Sequence, residues 1–369
     1  FTNAYAGNLR ELAELLTLYA EKTGKESVPL NRELFVLLAD DDTLYASVQK
    51  KQELLTRYTD ACIHEVSGQK TEVPVTELVR SLQKKAAFLT GHIRATEWVT
   101  DEEGNGWFNG YYDNHGRRVE GVFAQGVRMM LTSQVFAVMA QTATDEQVAE
   151  IVRSADKYLY CDAMGGYRLN TDFGEVKMDL GRMFGFAYGE KENGAVFSHM
   201  AVMFANALYK RGFVKEGHRA LDALYRQSVH FETSRIYPGI PEYFNSRGKG
   251  MYHYLTGASW YMLTVITEMF GAKGCAGNLM LEPKLERQQF DLDGRAELFF
   301  SFAGQSLHLV YENKEHKEYG AYRPGTIRID GELWDYSGGE KETRSVCIDR
   351  ERLKQLDFDV THEILVELV

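Results

Sequence analysis

Asp113 lies in the run Trp107-Phe108-Asn109-Gly110-Tyr111-Tyr112-Asp113-Asn114-His115-Gly116, a carboxyl group beside four aromatic rings. Rings next to an acid and an amide suit a sugar, because pyranose C–H faces pack on flat apolar surfaces while the hydroxyls demand paired polar groups. Trp107 and Tyr111 are candidate sugar platforms on this reading, and Asp113 is the acid. Desolvation by the rings would raise the carboxyl pKa and keep Asp113 protonated, fit to act as a general acid near neutral pH. The plainer alternative is that the Asp113 side chain caps the turn Asp-Asn-His-Gly.

Two further runs carry polar groups at positions where an anion could be held. Glu192 and Asn193 stand immediately before an apolar helix whose start contains His199, with Gly194 marking the passage from loop to helix. A histidine on such a helix is either a satisfied core residue or a donor to an anion such as phosphate. Further on, Thr256 and Gly257 lie at the N-terminus of a helix that runs to about Phe270. Unpaired N–H groups and the helix dipole favour an anion there, and glycine lets it approach closely. Thr256 as an ordinary N-cap is the alternative. Arg247 and Lys249 either bring positive charge to this region or are solvated loop residues.

The elements that must position these runs are mostly helices. Apolar residues recur at three- and four-residue spacing over Asn8–Glu21, Thr43–Glu65, Val75–Phe88, Val127–Ala143, Asp145–Tyr158, Phe197–Lys210, Val214–Glu232 and Ala258–Phe270. The helices come in consecutive pairs, and the long connections between them, chiefly residues 101–125, 165–193 and 233–255, contain the chemistry-bearing runs. Loops of that length in a compact domain are usually functional. After Pro283 the pattern changes to short alternating segments with Gly, Asn and Asp turns, including Arg295–Ala303, Ser306–Glu312, Gly325–Ile329 and Glu363–Val369. The expected architecture is mainly α: an (α/α)6 toroid over residues 1–283, lacking its first helices, followed by a small β-sandwich over 284–369. No fixed-period self-similarity supports a solenoid.

Composition narrows the partners. The 369 residues carry a net charge of −11, which argues against nucleic acid or an anionic membrane surface as partner. An anionic ligand must then be held by a local site. The four cysteines are scattered without C-x-x-C spacing, so neither a zinc knuckle nor a disulfide framework is expected, and reduced cytoplasmic thiols are the simplest assignment. No apolar run approaches the roughly 18 residues of a membrane span. The chain starts at Phe1 without a signal-like segment and enters a helix almost at once, which suggests that an N-terminal portion is missing.

The segments GWFNGYYDN, YRLNTDFGE, GEKENGAVFSHM and EYFNSRGKGMYHYLTGASW, in this order, resemble the phosphorylases of glycoside hydrolase family 94. That group includes cellobiose, chitobiose and β-1,2-oligoglucan phosphorylases, and the likeness covers about Phe1 to Pro283. Within the group the chain is most similar to the β-1,2-oligoglucan (sophorose-type) phosphorylases, since the cellobiose enzymes have Trp-Asn-Asp where this chain has Tyr111-Tyr112-Asp113.

The resemblance implies an (α/α)6 barrel preceded by a β-sandwich and closed by a small β domain. It implies Asp113 as general acid, Glu192 as a sugar contact in the glycone subsite with Asn193, Tyr111 and Trp107 nearby, and His199, Thr256 and Gly257 as the phosphate site. The expected reaction is inverting phosphorolysis of a β-glucosidic bond, with inorganic phosphate as co-substrate, a β-glucan oligosaccharide as partner, and neither cofactor nor metal. The N-terminal β-sandwich, the first barrel helices and a phosphate-binding arginine of the family have no match, so a missing segment or companion chain is expected to supply them. The alternatives are a phosphorylase of another linkage such as cellobiose, an inverting hydrolase pairing Asp113 with Glu192 or Glu242 about a water, and an inactive or carbohydrate-binding remnant.

Overall fold

The computed structural model describes residues 1–39, 41–62, 64–236, 239–334 and 344–369, so Tyr237 and Pro238 of the third loop lie outside the described residues. The α-helices before residue 270 are α1 (Thr2–Thr23), α2 (Asp42–Ala46), α3 (Val48–Ala61), α4 (Val75–Thr96), α5 (Leu131–Met139), α6 (Asp145–Tyr158), α7 (Ser198–Lys210), α8 (Val214–Val229), α9 (Phe231–Ser234) and α10 (Leu255–Thr264). None is long and apolar enough to cross a membrane among the described residues.

The helices form two layers. Helices α1, α5, α7 and α10 pack one against the next, and α4, α6 and α8 lie against α1, α5 and α7 respectively. Burial is deepest in α7. In α7, Ala201 through Tyr209 are all buried, as an inner helix with apolar residues all round must be. In α6 and α8 only one stripe is buried, Val148, Ile151, Val152 and Ala155 in the first and Ala220, Leu221, Ala223 and Leu224 in the second. The start of α6 is fixed by a capping box in which Thr144 and Gln147 satisfy each other's backbone N–H. Inner and outer helices alternating along the chain are the arrangement of an α/α toroid domain.

Several boundaries differ from the periodicity for local reasons. The expected helix Thr43–Glu65 is interrupted at Ser47, which is extended and accepts a bond from the Lys50 N–H, so α3 begins anew there. Helix α5 starts at Leu131 rather than Val127, because Gly126–Arg128 pairs as a strand with Gly121–Phe123. Helix α10 starts three residues before Ala258, and its last turn, Val265–Met269, widens to a π-helix.

The C-terminal part has two sheets over one apolar core. Strands Arg295–Phe302, Gln305–Glu312, Thr361–Leu368, Pro324–Ile329 and Glu332–Trp334 form one sheet in that spatial order, with Gln305–Glu312 parallel to Thr361–Leu368. Ala272–Cys275, Asn278–Leu281 and Val346–Ile348 form the other. Leu279, Leu281 and Ile348 from the second share a cluster with Leu307, Leu309, Tyr311, Ile364 and Val366 from the first. The β core thus draws in residues from Phe270 onward, upstream of the composition change at Pro283.

Gly271 makes this junction possible. Its φ of +67° is left-handed, and a Cβ there would stand 1.9 Å from the Glu282 carbonyl oxygen. Gly271→Ala should cost on the order of 3 kcal/mol and lower the thermal midpoint. Calorimetry of the variant, with an unchanged midpoint, would show that the hairpin can shift without penalty.

Candidate active site

The acid-bearing loop is a closed projection. Between strands Gly106–Phe108 and Gly121–Phe123, the backbone bonds Val119 N to Tyr111 O and Asp113 N to Arg117 O hold residues 110–120 as an irregular hairpin with a tip at Asp113–Gly116. Asp113 Oδ1 accepts from the N–H groups of His115 and Arg117, both at 2.9 Å, and Oδ2 accepts from Arg117 Nε at 2.8 Å. The Arg117 N–H, followed by the His115 N–H and the Arg117 guanidinium, outweighs the effect of desolvation and holds the carboxyl down at about 2. The expectation of a raised pKa is therefore corrected. Asp113 faces the donors of its own turn instead of the rings beside it in sequence, and in this conformation it is ionised at neutral pH.

The rings are distributed unlike a sugar platform. Trp107 is 0% exposed, its Nε1 donates to the Arg128 carbonyl at 3.2 Å, and its indole packs edge-on against Tyr158. Trp107 thus presents no surface to a ligand in this structure: its strand is buried on both faces. Phe108 joins the same core. Tyr111 and Tyr112 remain exposed, and the Tyr112 hydroxyl donates to Glu97 at 2.7 Å. Tyr111 is the ring of this loop left open for a sugar.

In the second loop, residues 190–193 make a tight turn in which Asn193 N donates to Glu190 O. Glu192 Oε1 pairs with Arg182 at 2.8 Å, while Oε2 is buried with no bonded partner among the described residues, an acceptor still available to a hydroxyl. Asn193 is buried and spends its amide on the fold, accepting from Asn170 Nδ2 at 3.2 Å and donating to the Phe186 carbonyl at 2.9 Å. Asn170 in turn accepts from Gly194 N at 2.8 Å. Asn193 therefore holds the turn that presents Glu192.

His199 and Gly257 come together. A Cβ at Gly257 would lie 2.8 Å from Ser198 Cβ and 3.3 Å from the His199 backbone nitrogen, so the first turns of α7 and α10 abut. Neither helix carries a side-chain N-cap among the described residues. The cap position of α10 is Tyr254, so Thr256 is the second helical residue rather than the cap, with its side chain exposed. Two adjoining helix starts without side-chain caps are a place where an anion could be held. The His199 ring lies 5.9 Å from that of Trp260, and burial lowers its pKa, so at neutral pH it is an uncharged donor and acceptor, not a cation.

The three loops gather at one end of the helical layers. Backbone bonds Leu131 N to Leu169 O, Thr171 N to Met129 O and Leu169 N to Ala195 O place the approaches to α5 and α7 side by side. Tyr243 and Asn245 of the third loop donate to Glu190, both at 3.2 Å. Asn114, next to the acid, donates to the Asp179 carbonyl at 3.4 Å, and Val119 packs with Phe173 and Leu180. Asp113 and His199 share no bonded partner among the described residues; the stretch from Asp179 through Arg182 connects the acid-bearing loop to Glu192. A cavity of about 1370 Å³ between α8 and residues 286–319, lined by His218, Arg219, Glu286 and Tyr319, takes in none of these groups.

Sequence reasoning missed four residues that build this end: Glu120, Asn170, Arg182 and Glu190. Glu120, Asn170 and Glu190 lie in irregular segments and Arg182 opens a four-residue 3-10 turn, so no period marks which side chains turn inward. Glu120 stood in plain view seven residues after Asp113, but nothing in V-E-G signals a buried carboxylate.

Paired inner and outer helices, with an acid-bearing hairpin and two abutting helix starts at one end, are the frame of an α/α toroid domain. Residues 65–271 match the family described as glycosyl hydrolase 94 superfamily, catalytic domain. That is more than half of the chain, and the chain belongs to this superfamily. It is similar to solabiose phosphorylase of Paenibacillus borealis, 24% identical over 69% of this chain and 33% of that protein. It is similar also to N,N'-diacetylchitobiose phosphorylase of Vibrio proteolyticus, 26% identical over 60% of this chain and 28% of that protein. The chain thus spans about a third of the length of these relatives. Among solved structures, GH63 mannosylglycerate hydrolase from Thermus thermophilus aligns with 57% of this chain and 42% of its own, at 14% identity and a TM-score of 0.32.

Proposed function

We propose that this end of the molecule carries out inverting phosphorolysis of a β-glucosidic bond, with a β-1,2-oligoglucan as donor and α-glucose 1-phosphate as product. The observation that carries the reading is the abutment of α7 and α10 at Gly257. It brings the first turns of the two helices together, with the imidazole of His199 and the hydroxyl of Thr256 on those same turns, and this supports reading their N–H groups as the phosphate donors. Phosphate is already a nucleophile and needs no base, whereas a hydrolase would need a carboxylate there to deprotonate water. Membership of the superfamily and the phosphorylases named above support the same reaction class. The preference for β-1,2 linkages rests on the run Tyr111-Tyr112-Asp113.

In this scheme Asp113 protonates the departing glycosidic oxygen while phosphate attacks the opposite face of the anomeric carbon. Glu192 Oε2 accepts a hydroxyl of the glycone sugar, and Tyr111 packs on a sugar face. Asp113 must take up a proton before it can act, so donor binding has to break its bonds to Arg117 and dry the carboxyl. Arg117 is well exposed and free to swing away.

Removing the Arg117 guanidinium withdraws a group that favours the carboxylate, so the acid form persists to higher pH. Arg117→Ala should move the alkaline limb of the kcat/KM–pH profile, which reports the free enzyme, upward by about half a unit or more. An unmoved limb would show that the limb belongs to another group. The phosphate assignment is tested by His199→Ala and Thr256→Val, each expected to raise the KM for phosphate several-fold with the donor KM little changed. Indifference of phosphorolysis to both would remove the anion site from the scheme.

A further inference from the structure

Glu120 is 1% exposed, and each of its bonded partners is a donor. Oε2 accepts from Gly110 N at 2.7 Å and Ser133 Oγ at 2.5 Å, and Oε1 accepts from Met130 N at 2.6 Å and Gln134 Nε2 at 3.3 Å. None of these partners is a cation. A buried carboxylate without a counter-charge is costly, and burial pushes Glu120 up to about 7.

What the carboxylate joins explains its presence. Gly110 opens the hairpin that carries Asp113, and Glu120 closes it, with its own N–H donating to Asn109 Oδ1 at 3.1 Å. Met130, Ser133 and Gln134 belong to the cap and first turn of α5. One side chain therefore ties both ends of the acid-bearing hairpin to the start of an inner helix. The joint has no slack: a Cβ at Gly110 would lie 2.2 Å from Ser133 Oγ. Gln134 completes it by accepting from Phe108 N at 2.8 Å and donating to Phe108 O at 2.9 Å.

We propose that Glu120 is a positioning residue, whose carboxylate fixes the hairpin against α5 and so sets the aim of Asp113 at the glycosidic oxygen. This rests on the reading of Asp113 as general acid. Glu120→Gln preserves shape but turns an NH2 toward two of the four donors. In the full chain it should lower kcat for phosphorolysis by about 10- to 100-fold with the phosphate KM within about twofold of wild type. The loss should shrink to a few-fold with an aryl glucoside whose acidic leaving group needs no proton, and Glu120→Asp should recover part of it. A merely structural role would lower activity equally for both donors.

Amide hydrogen exchange supplies a readout that needs no activity: protection of residues 110–119 should fall in Glu120→Gln while that of α7 and α10 holds. If wild type shows no phosphorolysis, the functional reading fails, and unchanged exchange overturns the joint separately. If Glu120→Gln does not fold, Ser133→Ala decides, since it removes one donor only. A few-fold fall in kcat at constant phosphate KM supports the proposal, and unchanged kcat overturns it. A kcat for Glu120→Gln within twofold of wild type overturns it as well.

Discussion

Replacing Asp113 by asparagine should reduce phosphorolysis of an oligoglucan by about 1,000-fold or more while leaving the molecule folded. The expected size is that of losing general-acid assistance to a poor leaving group. The fold survives because the amide oxygen of asparagine can still accept from the His115 and Arg117 N–H groups that Asp113 Oδ1 serves now. What disappears is the ion pair with the exposed Arg117 side chain, and surface pairs contribute little to stability. The diagnostic is the leaving group. With an aryl glucoside whose aglycone departs unprotonated, the variant should recover most of its rate, since no proton is then required. A variant that keeps more than about a tenth of wild-type activity on the oligoglucan would remove Asp113 from the acid role.

The second large effect belongs to Gly257→Val. The added Cβ meets Ser198 Cβ at 2.8 Å and the His199 nitrogen at 3.3 Å, and the two methyl groups press further into the space between α7 and α10. The helices must separate, and the N–H groups of their first turns no longer converge. A hydrogen bond to a charged group is worth about 1.5–3 kcal/mol, so losing even one should raise the phosphate KM by about 10- to 100-fold. Donor binding should persist, because Glu192 and Tyr111 are presented by other segments. Gly257→Ala should fall between, the neighbouring atoms having to give by less. Phosphate saturation curves with a fixed donor measure the split; an equal loss of donor affinity would mean that the whole end of the molecule had collapsed.

Much of the helical frame was legible because it obeys a period. Residues 198–210 and 145–158 are as regular in sequence as they are in the structure, and Thr144 with Gln147 announces the start of α6. Four β strands after residue 294 were legible from alternation, while the three-residue strands Glu332–Trp334 and Val346–Ile348 are too short to show it. The geometry of the site was legible only in part. His199 and Gly257 lie far apart in the chain, and only packing shows that their helices touch. Asp113 has the sequence surroundings of a desolvated acid, yet three donors of its own turn decide its ionisation. Trp107 looks like a sugar platform in a run of aromatics, but its place on a strand buried on both faces sends it into the core. Glu120 and Asn170 have no periodic neighbours to mark them, and their roles follow from where the loops fold back.

The central claim is that phosphate, and not water, attacks at this end of the molecule. The direct measurement is proton NMR of the purified chain with a β-1,2-oligoglucan, with and without inorganic phosphate, following the anomeric signals. Phosphorolysis gives α-glucose 1-phosphate and a shortened glucan when phosphate is present, and no cleavage when it is absent. Release of free glucose at the same rate with or without phosphate would contradict it.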